Sequence, residues 1–266
     1  MNRKPNILLT NDDGISAPGL KHLWESLHEI ANLSIIAPAI EQSGVGLGIT
    51  IRKPLLIQPV EWPNDTPAWR VTGTPADCVR MGVSVILKHK PDLIVSGINR
   101  GSNSGRNVLY SGTVGGVIEG ILRHVPGIAF SCSDPINPDY QPTQPHVRTL
   151  VQHLLAHPMP MGTFLNVNFP STPTIKGVKM ARQGLGYWIE NPEERLHPEG
   201  HSYYWLGGQW HEHEEHPESD VSLLNAGYAA AVPIHVHELT DLHLFESRKN
   251  DFNDHFSSIG SQEIES

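Results

Sequence analysis

Asp12 and Asp13 stand side by side after the apolar run Ile7-Leu8-Leu9 and just before Gly14. Two carboxylates about 4 Å apart repel by roughly 4 kcal/mol at an effective dielectric near 20, and a bound dication reverses that penalty. Neighbouring residues of a strand point to opposite faces, so both can serve one site only if the chain turns there, which Gly14 permits. Ser43 lies just beyond the run Leu33 to Ala37, and Asn99 follows Leu93-Ile94-Val95. If these loops leave one edge of a single sheet, Asp12, Asp13, Ser43 and Asn99 converge as an all-oxygen donor set. Such a set suits magnesium or manganese, with calcium possible, better than structural zinc. Asp-Asp-Gly alone is more often a solvated turn or cap; convergence of three loops is what favours the metal.

A second group, Ser111-Gly112-Thr113, opens the segment Val114 to Leu122, whose apolar residues recur at helical spacing. Free N–H groups at a helix start, a glycine allowing close approach and two hydroxyls make a phosphate seat. Simple capping by Ser111 or Thr113 is the plainer alternative. Next to a dication the phosphate reading gains, because metal and helix start together stabilise charge developing on a phosphoryl group.

Other motifs fall short. Gly44-Val45-Gly46-Leu47-Gly48 lacks the third glycine of a dinucleotide loop, and no Walker lysine follows a glycine-rich loop. Gly101-Ser102-Asn103-Ser104-Gly105 has Asn103 where an esterase elbow needs serine. Among 16 histidines, His211-Glu212-His213-Glu214-Glu215-His216 does not match H-E-x-x-H and is expected to be a solvated hairpin tip. Tyr203, Tyr204 and Trp205 suit a nucleobase pocket, a packed hairpin or a subunit contact.

The elements that must position these groups alternate. Ile7 to Leu9, Leu33 to Ala37, Leu93 to Val95, Ile128 to Phe130 and Phe164 to Val167 predict buried strands. Stripes through Leu20 to Ile30, Ala76 to Ile86, Val114 to Leu122 and Val147 to Leu155 predict helices, the second starting at Thr74-Pro75. This predicts an α/β, Rossmann-like, three-layer body with a mainly parallel sheet, and ligands at the strand carboxyl ends. After Pro170, Ile175 to Met180, Tyr187 to Ile189 and Tyr203 to Leu206 predict hairpin strands, with the polar stretch Glu190 to Gly200 between them. We expect one domain over 1–266, with a hairpin extension at about 175–210, a returning strand within Tyr228 to Val236, and a polar tail from about residue 245 with little to bury.

The chain has 266 residues and 28 acidic against 19 basic side chains, a formal charge of −9, which argues against duplex nucleic acid or an anionic membrane as partner. The first apolar run meets Asn11-Asp12-Asp13 too early for a signal peptide, and no long uncharged apolar stretch predicts a membrane helix. Cys78 and Cys132 form no C-x-x-C pair. A reducing cytoplasm is the expected setting.

The motifs together resemble the SurE family of stationary-phase survival proteins, which are metal-dependent nucleotidases. The resemblance rests on Asn11 to Gly14, Ser43-Gly44, Val71 to Asp77, Ser96 to Asn99 with Asn103 and Gly105, Tyr110 to Gly115, and Asn166 to Pro170. It implies metal binding by Asp12, Asp13, Ser43 and Asn99, and a phosphate and catalytic pocket lined by Asn103, Ser111, Gly112 and Thr113. It also implies a C-terminal segment exchanged between subunits of a homodimer or homotetramer, with Tyr203 to Gly208 in the hairpin. Lys179 to Arg182 and Ala229 to Pro233 depart from the family pattern. The expected activity is a phosphomonoesterase acting on nucleoside 5′- and 3′-monophosphates with one divalent cation per subunit. Water attack and a covalent aspartyl-phosphate both remain open, and no histidine or lysine in the motifs is an obvious general acid. The alternatives are a nucleotide-binding regulator without turnover and an exopolyphosphatase.

Overall fold

The computed structural model describes residues 3–257. Five apolar runs become the central strands: β1 (Asn6–Thr10), β2 (Asn32–Pro38), β5 (Leu93–Arg100), β6 (Gly127–Cys132) and β7 (Thr163–Phe169). Burial on both faces explains why they read as continuous rather than alternating apolar segments. Two strands absent from the sequence reading, β4 (Ala68–Val71) and the edge strand β3 (Ile57–Pro59), extend the sheet beyond β2.

The helices on one face are α1 (Pro18–Leu27) and α4 (Gln144–Ala156), and those on the other are α2 (Pro75–Met81) and α3 (Gly112–Leu122). The predicted start at Thr74-Pro75 holds: Thr74 and Asp77 close a capping box, with Pro75 in the first turn. The expected stripe to Ile86 does not stay α-helical, because Gly82–Ile86 forms a wider π turn.

After Pro170, the segments predicted as hairpin strands at Tyr187 to Ile189 and Tyr203 to Leu206 do enter antiparallel ladders, whereas Ile175 to Met180 does not. β8 (Val178–Met180) is no hairpin strand; it pairs in parallel with β13 (Ala229–His235), which returns antiparallel to β7. The full sheet order is β3-β4-β2-β1-β5-β6-β7-β13-β8. The hairpin is a separate arm of two consecutive ladders. β9 (Tyr187–Ile189) pairs with β12 (Gln209–His211), and β10 (Glu193–Leu196) pairs with β11 (Ser202–Trp205). Glu190 to Gly200 is therefore no mere spacer. The arm turns at His197–His201, so His211–His216 lies at its foot and not at its tip. Helix α5 (Asp220–Asn225) leads into β13, and α6 (Leu242–Ser257), in the expected polar tail, is almost wholly exposed. The rest of that tail lies outside the described residues. No helix among the described residues is long and apolar enough to cross a membrane.

Candidate active site

The chain winds from β1 through β2 to β4 on one side of the sheet, then returns to β5 and continues to β6 and β7 on the other. β1 and β5 are neighbours whose connections leave in opposite directions, which opens a crevice beyond their carboxyl ends. The acidic pair sits there. Asn11 Nδ2 donates to the Gly14 carbonyl at 2.9 Å and closes the turn that follows β1. The Asp12 carbonyl accepts the Gln42 N–H at 2.7 Å, tying this turn to the loop after β2.

Asp12 is only 4% exposed. Its Oδ1 accepts a very short hydrogen bond from the Thr113 hydroxyl in the first turn of α3. Burial pushes its pKa from an ordinary 3.8 to about 6; the Thr113 hydroxyl opposes the rise, and the charge of Asp13 adds to it. No cationic side chain pairs with Asp12 among the described residues. A Cβ on Gly112 would lie 2.8 Å from Asp12 Cβ and 3.0 Å from Oδ2, so the helix start approaches this closely only with glycine there. Ser111 caps α3 by accepting the Val114 N–H at 3.1 Å, as the capping reading anticipated. The Gly112 N–H has no protein partner among the described residues.

Asp13 is less buried, and its Oδ2 accepts the Arg100 N–H at 3.0 Å. Burial raises its pKa, while Arg100 lowers it. The Arg100 guanidinium reaches Glu41 at 3.3 Å, and Glu41 accepts the Ser43 hydroxyl at 2.7 Å. Ser43 is exposed and turned toward Glu41 rather than toward either aspartate. Asn99 is delivered by a break in the β5–β6 register between Ser96 and Asn99. Gly97 makes this irregularity possible, with φ of +128° and space for no Cβ, which would meet the Phe130 carbonyl at 2.3 Å. Asn99 Nδ2 donates to the Gly101 carbonyl at 2.9 Å, so Oδ1 is the atom left to accept a ligand.

Asn103 belongs to a different network. Its Nδ2 donates to Ser131 Oγ at 2.8 Å, its N–H donates to Asn168 Oδ1 at 2.7 Å, and its carbonyl accepts Asn166 Nδ2 at 3.0 Å. The structure thus joins Asp12 directly to Gly112 and Thr113 and joins Asp13 to Arg100 beside Asn99. Ser43 is linked only through Glu41, and Asn103 is held by β6 and β7. Arg100, Glu41, Asn166 and Asn168 were given no role from sequence. Two buried asparagines at i and i+2 on β7, hence on one face, are a signal that could have identified the last two.

A cleft of 690 Å³ opens beside this edge, bounded by Asp13, Ile15, Ile40, Arg100, Ile136 and Tyr140 among others. Its apolar walls and polar rim suit a ring-bearing organic group next to a charged one. Tyr203, Tyr204 and Trp205 do not line it; they stand exposed on β11. The donors offered to a cation, two carboxylates with amide and hydroxyl oxygens, fit a hard dication, and a buried carboxylate with no cationic partner among the described residues is where one would be held.

Comparison with known proteins points the same way. The family profile described as "Survival protein SurE" matches residues 7–190. A protein of Protochlamydia amoebophila named 5'-nucleotidase SurE is 51% identical over 245 residues, spanning 91% of this chain and 94% of that protein. A Thermosipho melanesiensis protein of the same name is 40% identical, over 87% of this chain and 91% of its own length. The crystal structure of the SurE protein from Aquifex aeolicus superposes with a TM-score of 0.78 at 36% identity, covering 92% of this chain and 99% of that one.

Proposed function

Because the chain belongs to the SurE family, we propose that it is a metal-dependent phosphomonoesterase that hydrolyses nucleoside 5′- and 3′-monophosphates to nucleoside and phosphate. One observation carries this reading: the first turn of α3 rests on a buried carboxylate that has no cationic partner among the described residues. Asp12 and Asp13, with Asn99 Oδ1 and Ser43, would hold one divalent cation per subunit, magnesium or manganese in class. Bound there, such a cation polarises the phosphate and acidifies an attacking water.

The chain's own groups do the rest. The Gly112 N–H and the helix start would face the phosphoryl oxygens, where charge grows as the ester bond breaks, while the Thr113 N–H supports the Asp12 carboxylate. Ser111 holds that turn in shape through its cap. Asn103, fixed by Ser131, Asn166 and Asn168, positions the phosphate or the water. The nucleoside occupies the cleft between Ile15, Ile40 and Tyr140. Two buried free cysteines are consistent with a cytoplasmic setting. Assembly with exchanged C-terminal segments is supported by α6, which leaves Leu244, Phe245, Phe252 and Phe256 exposed.

The test strips the protein with chelator and restores magnesium, manganese, calcium and zinc separately. Phosphate release is then followed from a panel of nucleoside monophosphates and from polyphosphate, for the parent and for Asp12→Asn. Restoration by a hard dication on monophosphates, lost in Asp12→Asn, is expected. Metal-dependent binding of adenosine monophosphate without phosphate release would instead make the chain a regulator.

A further inference from the structure

The arm turns through His197-Pro198-Glu199-Gly200-His201, far in sequence from every residue of the catalytic edge. The turn is closed from both sides: His197 N–H donates to the His201 carbonyl at 2.9 Å and Gly200 N–H to the His197 carbonyl at 2.8 Å. Gly200 has φ of +87°, in the left-handed region. Pro198 fixes its own φ. His197 and His201 thus continue the β10–β11 register as a directly opposed cross-strand pair, whose side chains must lie on one face. Their rings are 4.4 Å apart between centroids, and Tyr203 contacts His197 edge-on. Glu199, at the apex, brings its carboxylate to 3.8 Å from His197 Nδ1.

One ligand atom from each of His197, Glu199 and His201 lies within 4.8 Å of the other two. The edge of a zinc coordination tetrahedron is about 3.3 Å, a gap that side-chain rotation closes. We propose that the arm tip is a second metal site, distinct from the one beside Asp12, which takes a zinc-class dication on two imidazole nitrogens and one carboxylate oxygen and leaves a position open to water. Imidazole nitrogen prefers borderline metals, whereas the all-oxygen set at the sheet edge prefers hard ones, so the two sites sort metals by donor type. The consequence for the arm is mechanical. β10 and β11 are exposed along their whole length, and a two-stranded ladder without a core is marginal by itself. A metal across its turn pins the tip.

Cobalt(II) is the probe, because imidazole-bound cobalt gives visible absorption while magnesium gives none. The untagged full chain is stripped with chelator and titrated with cobalt in excess magnesium, which occupies the hard site. One cobalt per chain is expected to produce the bands. That equivalent is lost in His197→Ala/His201→Ala and retained in His211→Ala/His213→Ala, the control for the other histidine-rich stretch. All substituted residues lie outside the catalytic edge, so magnesium-dependent phosphatase activity serves as the check that each variant is folded. Bands that persist in the His197/His201 variant, that vanish instead in the His211/His213 variant, or that never form in the parent would each overturn the proposal.

Discussion

Two buried carboxylates organise two regions of this molecule, and they are provided for in opposite ways. At the foot of the arm, Asp220 accepts the N–H groups of Gly105, Gly184 and Val221 and the Gln183 side-chain amide, so both oxygens are satisfied. At the sheet edge, Asp12 is about as deeply buried, yet among the described residues its one full hydrogen bond comes from the Thr113 hydroxyl, with the N–H groups of Asp12 and Thr113 adding weaker support. Burial raises the pKa of both. The first arrangement anchors the arm to the 3-10 turn Gly105–Leu109, two residues beyond Asn103. The second leaves a carboxylate under-provided by protein, as a group awaiting a cation would be. Depth of burial alone does not distinguish anchor from reactive group; the count of full hydrogen bonds does.

The sharpest way to break that comparison is to neutralise each in turn. Asp12→Asn is expected to lower kcat/KM by about 10³-fold, the scale of losing a metal ligand or a principal charge-stabilising group, without lowering the thermal midpoint of the metal-free protein. Asp220→Ala is expected to do the reverse. It strands the three buried N–H groups of Gly105, Gly184 and Val221 and should cost about 3 kcal/mol, roughly 6–12 °C in Tm for a chain of this size, with only a secondary loss of kcat through the Gly105 turn. Thermal unfolding and steady-state kinetics on both variants check this. If Asp12→Asn destabilises as much as Asp220→Ala, the two carboxylates play the same structural part.

A third measurement uses pH. Folded Asp12 holds its proton up to about pH 6, against an ordinary 3.8. The metal-free folded state therefore binds more protons than the unfolded chain between those values. The sign follows: this group contributes stability below about pH 4, and that stability is lost as pH rises through 6, by roughly 2–3 kcal/mol. Asp13 and Asp220 are shifted the same way, so the quantity to read is the difference between parent and Asp12→Asn. Chelator-treated parent should lose stability more steeply than Asp12→Asn across this window. Superimposable profiles would mean that Asp12 titrates alike folded and unfolded.

Sequence legibility also divides between these regions. The sheet edge was readable because β1, β2 and β5 are buried on both faces and end in polar loops, so unbroken apolar runs announced them. Helix α3 declared itself by periodicity, but the pairing of Thr113 with Asp12 came only with the structure. The arm was not readable in the same way. Glu193-Glu194-Arg195-Leu196 is a strand with every residue exposed, so it has no core face to impose alternation. Val178–Met180 carries the signature of any short exposed strand, and only its hydrogen bonds to β13 decide that it joins the body. The same limit hid the support of Asn103, since Asn166 and Asn168 act through a network that joins two strands to the loop after β5.

The smallest expected effect tests how finely the edge is set. Gly112→Ala introduces a methyl group 2.8 Å from Asp12 Cβ and 3.2 Å from Val45 Cγ2, while the backbone there stays helical and tolerates alanine. Either Asp12 or the first turn of α3 must shift by a few tenths of an ångström. Because Asp12 pairs with Thr113 in that same turn, the shift falls on the pairing of carboxylate and helix start rather than on the core. We expect kcat to fall about tenfold while stability changes by less than about 1 kcal/mol, since misplacement of this size weakens stabilisation of developing charge more than it weakens packing. Gly200→Ala at the arm tip has open space around it but a left-handed backbone, so its cost is local strain of about 1 kcal/mol with kcat unchanged. Kinetics and thermal unfolding on this pair separate the regions once more: a methyl group at the edge is read in rate, and one on the arm is read in stability. An unchanged kcat in Gly112→Ala would mean that the contact between α3 and Asp12 has more slack than its geometry shows.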